Sequence, residues 1–334
     1  MITPTRLSYG VLIATIALAV LLHLGVPLLV LLFSYFALRQ LYFLTKRKWL
    51  ALILFGVVVA GITAAAVYFT RTAILALPDV ADTSIPSASA WAQKRQIELP
   101  FTDFESLRQA VVDTLGQEAQ YLRNVANFAK SAAAAIVFSI LGIVAAGSLF
   151  YKTGLDPYRG THRLKNNLYS ICCDKVSTRF RDFYRSFATV MGAQITISLI
   201  NTALTGIFLV AVRLPHAPLL IAVTFLCGLV PIVGNLASNT VIVFVALTVS
   251  LKLAIVALVF LILIHKLEYL LNSKIIGDRI RNPVWLTLIA LILGERLMGI
   301  PGLILAPVVL NYLRVEMLTV EVPAPSETVE ALNR

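Results

Sequence analysis

Residues 50–70 read LALILFGVVVAGITAAAVYFT and contain no Asp, Glu, Lys or Arg. A helix needs about 20 apolar residues to span the hydrocarbon core of a bilayer, so this stretch is long enough. Residues 11–22, 131–151 and 186–212 are further uncharged runs, and the whole chain is 59% hydrophobic and 13% charged. A soluble fold cannot bury that much apolar surface. Since nothing alternates like a barrel strand, the sequence predicts an all-α, polytopic integral membrane protein.

The amino-terminal region mimics a secretory signal peptide, because Arg6, an apolar run and the small residues at 17–19 follow in that order. Cleavage there would leave a chain that begins inside a second apolar run, residues 28–38, so we predict that the segment is retained. Gly25 and Pro27 join the two runs as a tight helical hairpin. The loop that follows is basic and holds no acid, which places it and the amino terminus in the cytoplasm. Its basic residues are Arg39, Lys46, Arg47 and Lys48.

Composition divides the chain into six predicted segments. They are an N-terminal transmembrane hairpin with a third span (1–70), an extracytoplasmic amphipathic segment (71–130), a fourth span (131–151), a basic cytoplasmic linker (152–185), a transport core (186–315) and a cytoplasmic tail (316–334). Pro78, Pro86 and Pro100 are predicted to break the first half of the second segment, and Thr102 and Glu105 to begin a helix as a capping box. The linker carries eight basic and three acidic residues, which is the strongest cytoplasmic signal in the chain.

The net charge of +11 does not indicate nucleic-acid binding, because Lys and Arg lie at the ends of apolar runs and not in one stripe interleaved with aromatic residues. Cys172 and Cys173 are adjacent, and Cys227 lies in an apolar run, so neither a disulfide nor a zinc site is indicated. We therefore expect no nucleic-acid partner, no metal, no cofactor and no catalytic residue. The expected partners are the lipid bilayer and a small polar solute or cation.

Two apolar segments in the last third are interrupted by Gly and Pro, which predicts about six full spans plus two interrupted or re-entrant helical hairpins. Residues 219–230 run into a break at 231–235, and residues 284–293 run into a break at 294–302. Irregular backbone at membrane depth survives only where protein buries it or water reaches it. Paired interrupted segments also indicate the substrate site of a transporter. We therefore assign to a substrate or ion pathway Pro231, Gly234, Asn235, Gly299, Pro301 and Gly302.

The helix between the two breaks carries a carboxylate, Glu268, which shares one helical face with His265 and Asn272. A carboxylate near membrane depth is costly unless it faces a cavity or a partner. All three residues are therefore assigned to the pathway. In the alternative interpretation Glu268 lies at the membrane interface and pairs with Lys266 or Lys274.

The second break carries an acid and a base side by side, Glu295 and Arg296. Both are assigned to the pathway for the same reason, since ionisable groups inside a membrane segment are functional candidates by default. The alternative interpretation is that the two side chains simply pair with each other.

Three stretches resemble the autoinducer-2 exporter family of bacterial membrane transporters. They are GLVPIVG at 228–234, HKLE at 265–268 leading to Ile276 and Gly277, and NPVW at 282–285 leading to GIPGLILAP at 299–307. The resemblance covers roughly residues 130–315, and the first 70 residues have the paired-span layout of the family. The chain departs from the family at two places, where Asn272-Ser273-Lys274 replaces a frequent proline and Gly294-Glu295-Arg296 replaces a common glycine pair.

The resemblance implies a secondary transporter that moves a small polar solute or signalling molecule without ATP, and it implies a homo-oligomer, a pentamer in the family. Other members exchange sodium or lithium for protons, so an antiporter that uses Glu268 or Glu295 as its proton-exchanging group is the alternative. An intramembrane enzyme is the alternative of another class. The sequence contains no His-Glu-x-x-His, Gly-x-Ser-x-Gly or Walker-type motif, so we predict that the chain is not an enzyme. The expected location is the bacterial inner membrane, with both termini cytoplasmic.

Overall fold

A computed structural model describes residues 4–93, 118–151, 167–231, 233–275 and 283–319, and within these ranges the chain is helical with short turns and no strand. The helices are α1 (Pro4–Leu21), α2 (Gly25–Thr45), α3 (Lys48–Gln93), α4 (Glu118–Tyr151), α5 (Leu168–Ala211), α6 (Ala217–Gly228), α7 (Val233–Val249), α8 (Leu251–Ile275), α9 (Val284–Met298) and α10 (Ile300–Met317). The predicted all-α fold is confirmed.

Among the residues that the structure describes, five helices contain stretches that are long and apolar enough to cross a bilayer. These are Gly25–Thr45, Lys48–Thr72, Lys130–Tyr151, Leu168–Ala211 and Ile300–Met317, and shorter apolar helices occupy Leu7–Leu21, Ala217–Gly228 and Val233–Val249. Large apolar side chains such as Ile62 on α3 and Val144 on α4 are exposed on the helix surfaces. Lipid covers such surfaces favourably, whereas water does not. The chain is a polytopic membrane protein, as predicted.

Two helices extend well beyond their predicted membrane spans. The prediction that Pro78 and Pro86 break the chain is wrong, because α3 continues through both to Gln93. A proline removes one backbone hydrogen bond, yet a helix can continue past it with a local bend. Likewise, α5 begins at Leu168, far ahead of the predicted span at 186–212. The predicted boundaries came from the positions of charged residues, which show where a helix leaves the lipid. A helix can continue beyond that point into water.

Some predicted features lie outside the described residues. They are the break at Pro100, the capping box at Thr102 and Glu105, most of the basic linker, the stretch 276–282 and nearly all of the tail at 316–334.

The chain forms two compact units. We call Leu22–Thr153 with Gly192–Gly277 the core unit, and Met1–Leu21 with Gly154–Met191 and Asp278–Arg334 the terminal unit. The hairpin of α6 and α7 belongs to the core unit, and the hairpin of α9 and α10 belongs to the terminal unit.

Small residues set the spacing of α2 and α4 in the core unit. A Cβ atom added to Gly142 would lie 2.9 Å from the carbonyl oxygen of Pro27 and 3.2 Å from the backbone nitrogen of Leu31. Only a residue without a side chain allows the two backbones to approach so closely, which is how helices associate in lipid. One turn further along, Ala146 is fully buried in a cluster with Leu38 of α2. This contact fixes α4 against α2.

A second apolar cluster holds α6, α7 and α8 against the carboxyl end of α5. Leu209, Leu220, Ile242 and Ala257 are buried in it, one from each of these helices in chain order. The rings of Phe208 and Phe260 stack beside it with centroids 4.0 Å apart. The cluster packs the interrupted α6–α7 hairpin against α5 and α8.

The terminal unit contains a largely buried ion pair that the sequence did not suggest. The guanidinium of Arg179 on α5 pairs with the carboxylate of Glu316 at the end of α10, and both side chains are largely buried. The hydroxyl of Tyr9 on α1 donates to the same carboxylate at 2.6 Å, and the Arg179 guanidinium lies 4.2 Å from the centre of the Tyr9 ring. Three helices that are far apart in sequence are thereby joined. Sequence spacing gives no signal for such a contact.

Candidate functional site

The break between α6 and α7 leaves the carbonyl groups of the last turn of α6 without helical partners. A helix end inside a membrane must satisfy these groups in another way. The turn itself satisfies two of them, since the Leu229 amide donates to the Leu226 carbonyl at 3.3 Å and the Val230 amide donates to the Cys227 carbonyl at 2.9 Å. Pro231 follows and has no amide hydrogen to contribute.

Side chains of α5 satisfy the other two carbonyls of that turn. The amide of Gln194 donates to the carbonyl of Gly228 at 2.6 Å, and the hydroxyl of Ser198 donates to the carbonyl of Phe225 at 2.9 Å. Gln194 and Ser198 are both buried. The end of α6 is therefore capped by a neighbouring helix, and all four carbonyls of its last turn are bonded.

Glycine lets the two arms of the α6–α7 hairpin touch backbone to backbone. A Cβ atom at Gly234 would overlap the carbonyl group of Cys227, so no other residue fits without moving the backbone. A Cβ atom at Gly228 would likewise overlap the hydroxyl of Ser198. The predicted importance of Gly234 thus has a steric basis in close packing.

Asn235, the residue after Gly234, links the break between α6 and α7 to the carboxylate of Glu268. The side-chain amide of Asn235 donates to Glu268 Oε1 at 2.5 Å. Glu268 lies on α8, its side chain is 11% exposed, and its Oε2 lies 3.7 Å from Nδ1 of His265, whose side chain is 67% exposed. A buried carboxylate is tolerated only with such partners. The predicted residues Asn235, His265 and Glu268 are therefore brought together.

The hydrogen bonds continue from Asn235 into α5. The amide of Asn201 donates to Asn235 Oδ1 at 3.3 Å, and the hydroxyl of Thr205 donates to Asn201 Oδ1 at 3.3 Å. Asn235, Asn201 and Thr205 are all buried. Because a carboxylate only accepts hydrogen bonds, Glu268 fixes the direction of this chain, in which every donor points towards the carboxylate. The result is a buried polar path of side chains from α5 through α7 to α8.

The prediction for α8 also concerned the pairing of Glu268 with a lysine and the position of Asn272. Within the described side chains, Glu268 contacts Asn235 and His265, and the alternative pairing with Lys266 does not occur. Asn272 lies in α8, but its side chain is outside the described set, as is that of Lys274.

The second break is narrower than predicted. Gly294, Glu295 and Arg296 lie within α9, and the interruption is confined to Gly299, whose φ of 63° and ψ of −140° suit a glycine only. Pro301 follows in the first turn of α10, where its missing amide hydrogen costs nothing. The prediction that the helix is lost from residue 294 onward is wrong. The turn between α9 and α10 needs only one residue in a non-helical conformation, Gly299, so the helix continues through Gly294, Glu295 and Arg296.

Glycines also hold the arms of the α9–α10 hairpin together. A Cβ atom at Gly302 would overlap the carbonyl group of Gly294, and a Cβ atom at Gly294 would overlap the carbonyl of Gly302. Glu295 and Arg296 point away from this contact, with side chains 53% and 84% exposed and their charged atoms 3.9 Å apart. The alternative interpretation, in which these two residues pair with each other, matches this arrangement.

Sequence reasoning missed the residues that α5 contributes to the site. Gln194, Ser198, Asn201 and Thr205 are spaced by four, three and four residues within an apolar span, so they form one polar stripe along a helix. This stripe could have predicted a polar contact of α5, because polar side chains within a membrane span usually bond a neighbouring helix. The partner, a helix end about 30 residues later in the chain, follows only from the fold.

Comparison with known proteins agrees with this architecture. Residues 9–319 match the family model described as "AI-2E family transporter". A protein of Bacillus subtilis (strain 168) named "Putative transport protein YdbI" is 27% identical over 187 residues, which are 55% of this chain and 51% of that protein, so the match spans about half the length of the relative. The predicted resemblance is confirmed. Since the family model covers nearly the whole chain, the protein belongs to the AI-2E family of transporters.

Proposed function

We propose that the protein moves a small polar solute or signalling molecule across the bacterial inner membrane by a secondary mechanism, and that Glu268 and Asn235 form the contact with the solute. The observation that carries the proposal is the largely buried Glu268 carboxylate, held by Asn235 beside the break of the α6–α7 hairpin. A charge in this position is costly and persists in membrane proteins where it serves transport.

The chemistry of the polar path suits a hydroxylated or otherwise polar solute. Glu268 supplies acceptor oxygens, while the amides of Asn201 and Asn235 and the hydroxyl of Thr205 supply both donors and acceptors. A solute that enters the path replaces one of these hydrogen bonds with its own, so the groups it displaces remain paired.

A sodium or lithium/proton antiporter is the second candidate function. The observation in its favour is again Glu268, because a carboxylate that binds a cation in exchange for a proton has to be shielded from water. Of the two carboxylates predicted for this role, Glu268 is 11% exposed and Glu295 is 53% exposed, which favours Glu268. An intramembrane enzyme, the candidate of another class, has no support from a catalytic motif in the sequence.

The proposed arrangement in the cell has both termini in the cytoplasm and several copies of the chain in one assembly, a pentamer as the resemblance to the family implies. The orientation rests on the basic loop after α2 and on the excess of basic residues at 152–185.

Thiol labelling tests the orientation. In a variant without the native cysteines, we expect Ala88→Cys to react with a membrane-impermeant thiol reagent in intact cells and Thr161→Cys to react only after the cells are permeabilised. The reason is that residues 71–130 are placed outside and residues 152–185 inside by their charges. Labelling of Thr161→Cys from outside would invert the proposed topology.

Flux measurements test the function itself. Purified protein in proteoliposomes should carry polar solutes down a gradient without ATP, and its rate should respond to an imposed ion gradient. The panel contains small hydroxylated solutes, sodium and lithium, and empty liposomes serve as the control. Solute flux above that control supports the proposed function. Flux of sodium or lithium alone, coupled to protons, would favour the antiporter, and dependence on ATP would refute a secondary mechanism.

A further inference from the structure

We propose that Thr202 is a second docking position for the end of α6, so that the α6–α7 hairpin takes two registers on α5 that differ by one helical turn. The inference rests on the proposed function, because such a shift moves Asn235, one of the two residues proposed to contact the solute, along α5. Its evidence is independent of transport, since it comes from the packing of α5 against α6 in the core unit.

Thr202 belongs to a row of residues on α5 whose other members contact α6. Gln194, Ser198, Thr202 and Gly206 follow at intervals of four and therefore lie along one ridge of the helix. The first two bond the carbonyls at the end of α6, and a Cβ atom at Gly206 would lie 3.3 Å from the Cδ1 atom of Ile221 on α6. The ridge thus follows α6 on both sides of Thr202.

The hydroxyl of Thr202 is buried and has no hydrogen-bond partner among the residues that the structure describes. This is unusual for α5, where Thr178, Thr189 and Thr196 each donate to the carbonyl four residues earlier, at 2.8 to 2.9 Å. A buried hydroxyl without a partner is destabilising. A partner that reaches Thr202 in a second register accounts for its presence.

The spacing of the ridge matches the spacing of the carbonyls. If the hairpin moves four residues along α5, about 6 Å, the carbonyl of Gly228 passes from Gln194 to Ser198 and the carbonyl of Phe225 passes from Ser198 to Thr202. Both bonds are replaced by equivalent bonds. The opposite shift would bring Gly228 to Val190, which has no polar side-chain atom. The ridge therefore allows movement in one direction only.

A second row of α5 offers the same exchange to α7. Asn201 now donates to Asn235, and Thr205, four residues later, donates to Asn201. After a shift of one turn, Thr205 takes the place of Asn201 as the donor to Asn235. In the shifted register, the two rows together would replace each of the three described side-chain bonds that join α5 to the hairpin.

The connection between α5 and α6 can absorb the movement. Residues 212–216 join the two helices, and Arg213 and His216 there have φ angles of 51° and 58°. Residues other than glycine rarely adopt such angles, which are strained and are found at segments that switch between conformations. Five residues extend to about 16 Å, more than the shift requires.

Disulfide cross-linking reads the two registers directly in membranes. In a variant without the native cysteines, Gly206→Cys with Ile221→Cys reports the register described above. Gly206→Cys with Phe225→Cys reports the register shifted by one turn, since Phe225 then takes the place of Ile221. We expect both pairs to form. Adding Thr202→Val should lower the yield of the second pair about fivefold to tenfold and leave the first unchanged, because one hydrogen bond is lost in the shifted register alone.

The controls separate the register from folding and from function. Thr196→Val removes a hydroxyl that is bonded within its own helix and should change neither yield, while Thr202→Ser should restore the second pair. The first pair shows in each variant that α5 and α6 remain packed. Absence of the second pair, or its insensitivity to Thr202→Val, would overturn the proposal. Since no solute is present, failure of the proposed function would appear in flux measurements and not here.

Discussion

Leucine in place of Gly234 or Gly302 is expected to abolish transport while the protein still inserts into the membrane. Each glycine lies against a backbone carbonyl of the opposite arm of its hairpin, that of Cys227 for Gly234 and that of Gly294 for Gly302. Backbone cannot rotate away as a side chain can, so the arms must separate to admit even a Cβ atom. The four candidate spans between Gly25 and Ala211 contain neither glycine, so the part of the chain that begins insertion remains unchanged.

A leucine at Gly61 is the matched control. This glycine also lies in an apolar helix, but a Cβ atom added to it would meet no described atom within 4 Å. Insertion is measured from the membrane fraction and from the elution of the solubilised protein, and transport from flux in proteoliposomes. Full activity of both the Gly234 and Gly302 variants would mean that the breaks only end one helix and begin the next, without a role in transport.

The membrane-spanning fold was predictable because the bilayer imposes a simple rule. Uncharged runs of sufficient length must be helices that cross it, and the runs at 50–70 and 131–151 both lie in such helices. The positions of the hairpins were equally readable, since Gly234, Gly299 and Gly302 are required by geometry that other residues cannot adopt. In these cases a local property of the sequence decides the structure.

The site was predictable only in part. The free-energy cost of placing a carboxylate at membrane depth predicted a functional role for Glu268 and equally for Glu295. In the structure, however, Glu295 is exposed and lies beside Arg296. A carboxylate in an apolar stretch has the same composition signal whether its helix face turns inward or outward. Which face is buried depends on tertiary packing.

The partners of the site lay beyond sequence reasoning for a related reason. Gln194 and Ser198 matter because they cap α6, and the carbonyls they bond are more than 25 residues away in the chain. The ion pair of Arg179 and Glu316 is still more remote, and each residue alone reads as an ordinary interfacial charge. Long-range pairing is a property of the fold.

Glutamine in place of Glu268 is expected to weaken transport without abolishing it. Glutamine keeps the size of the side chain and an acceptor oxygen for the Asn235 amide, which now bonds the carboxylate at 2.5 Å. What is lost is the charge, and a neutral hydrogen bond is weaker than a charged one by about 1 kcal/mol, which corresponds to a flux about fivefold lower. Because Glu295 is half exposed, Glu295→Gln should leave flux unchanged and is the matched control.

The pH profile of that variant tests the central claim most directly, namely that Glu268 binds a polar solute and does not exchange a proton. Flux is measured for wild type, Glu268→Gln and Glu295→Gln from about pH 6 to about pH 8.5, the range in which groups that transfer protons are tuned to work. We predict partial flux in Glu268→Gln with a pH profile parallel to that of wild type. Complete loss of flux in Glu268→Gln, together with a wild-type rate that titrates near neutral pH, would contradict the account and identify a cation/proton antiporter.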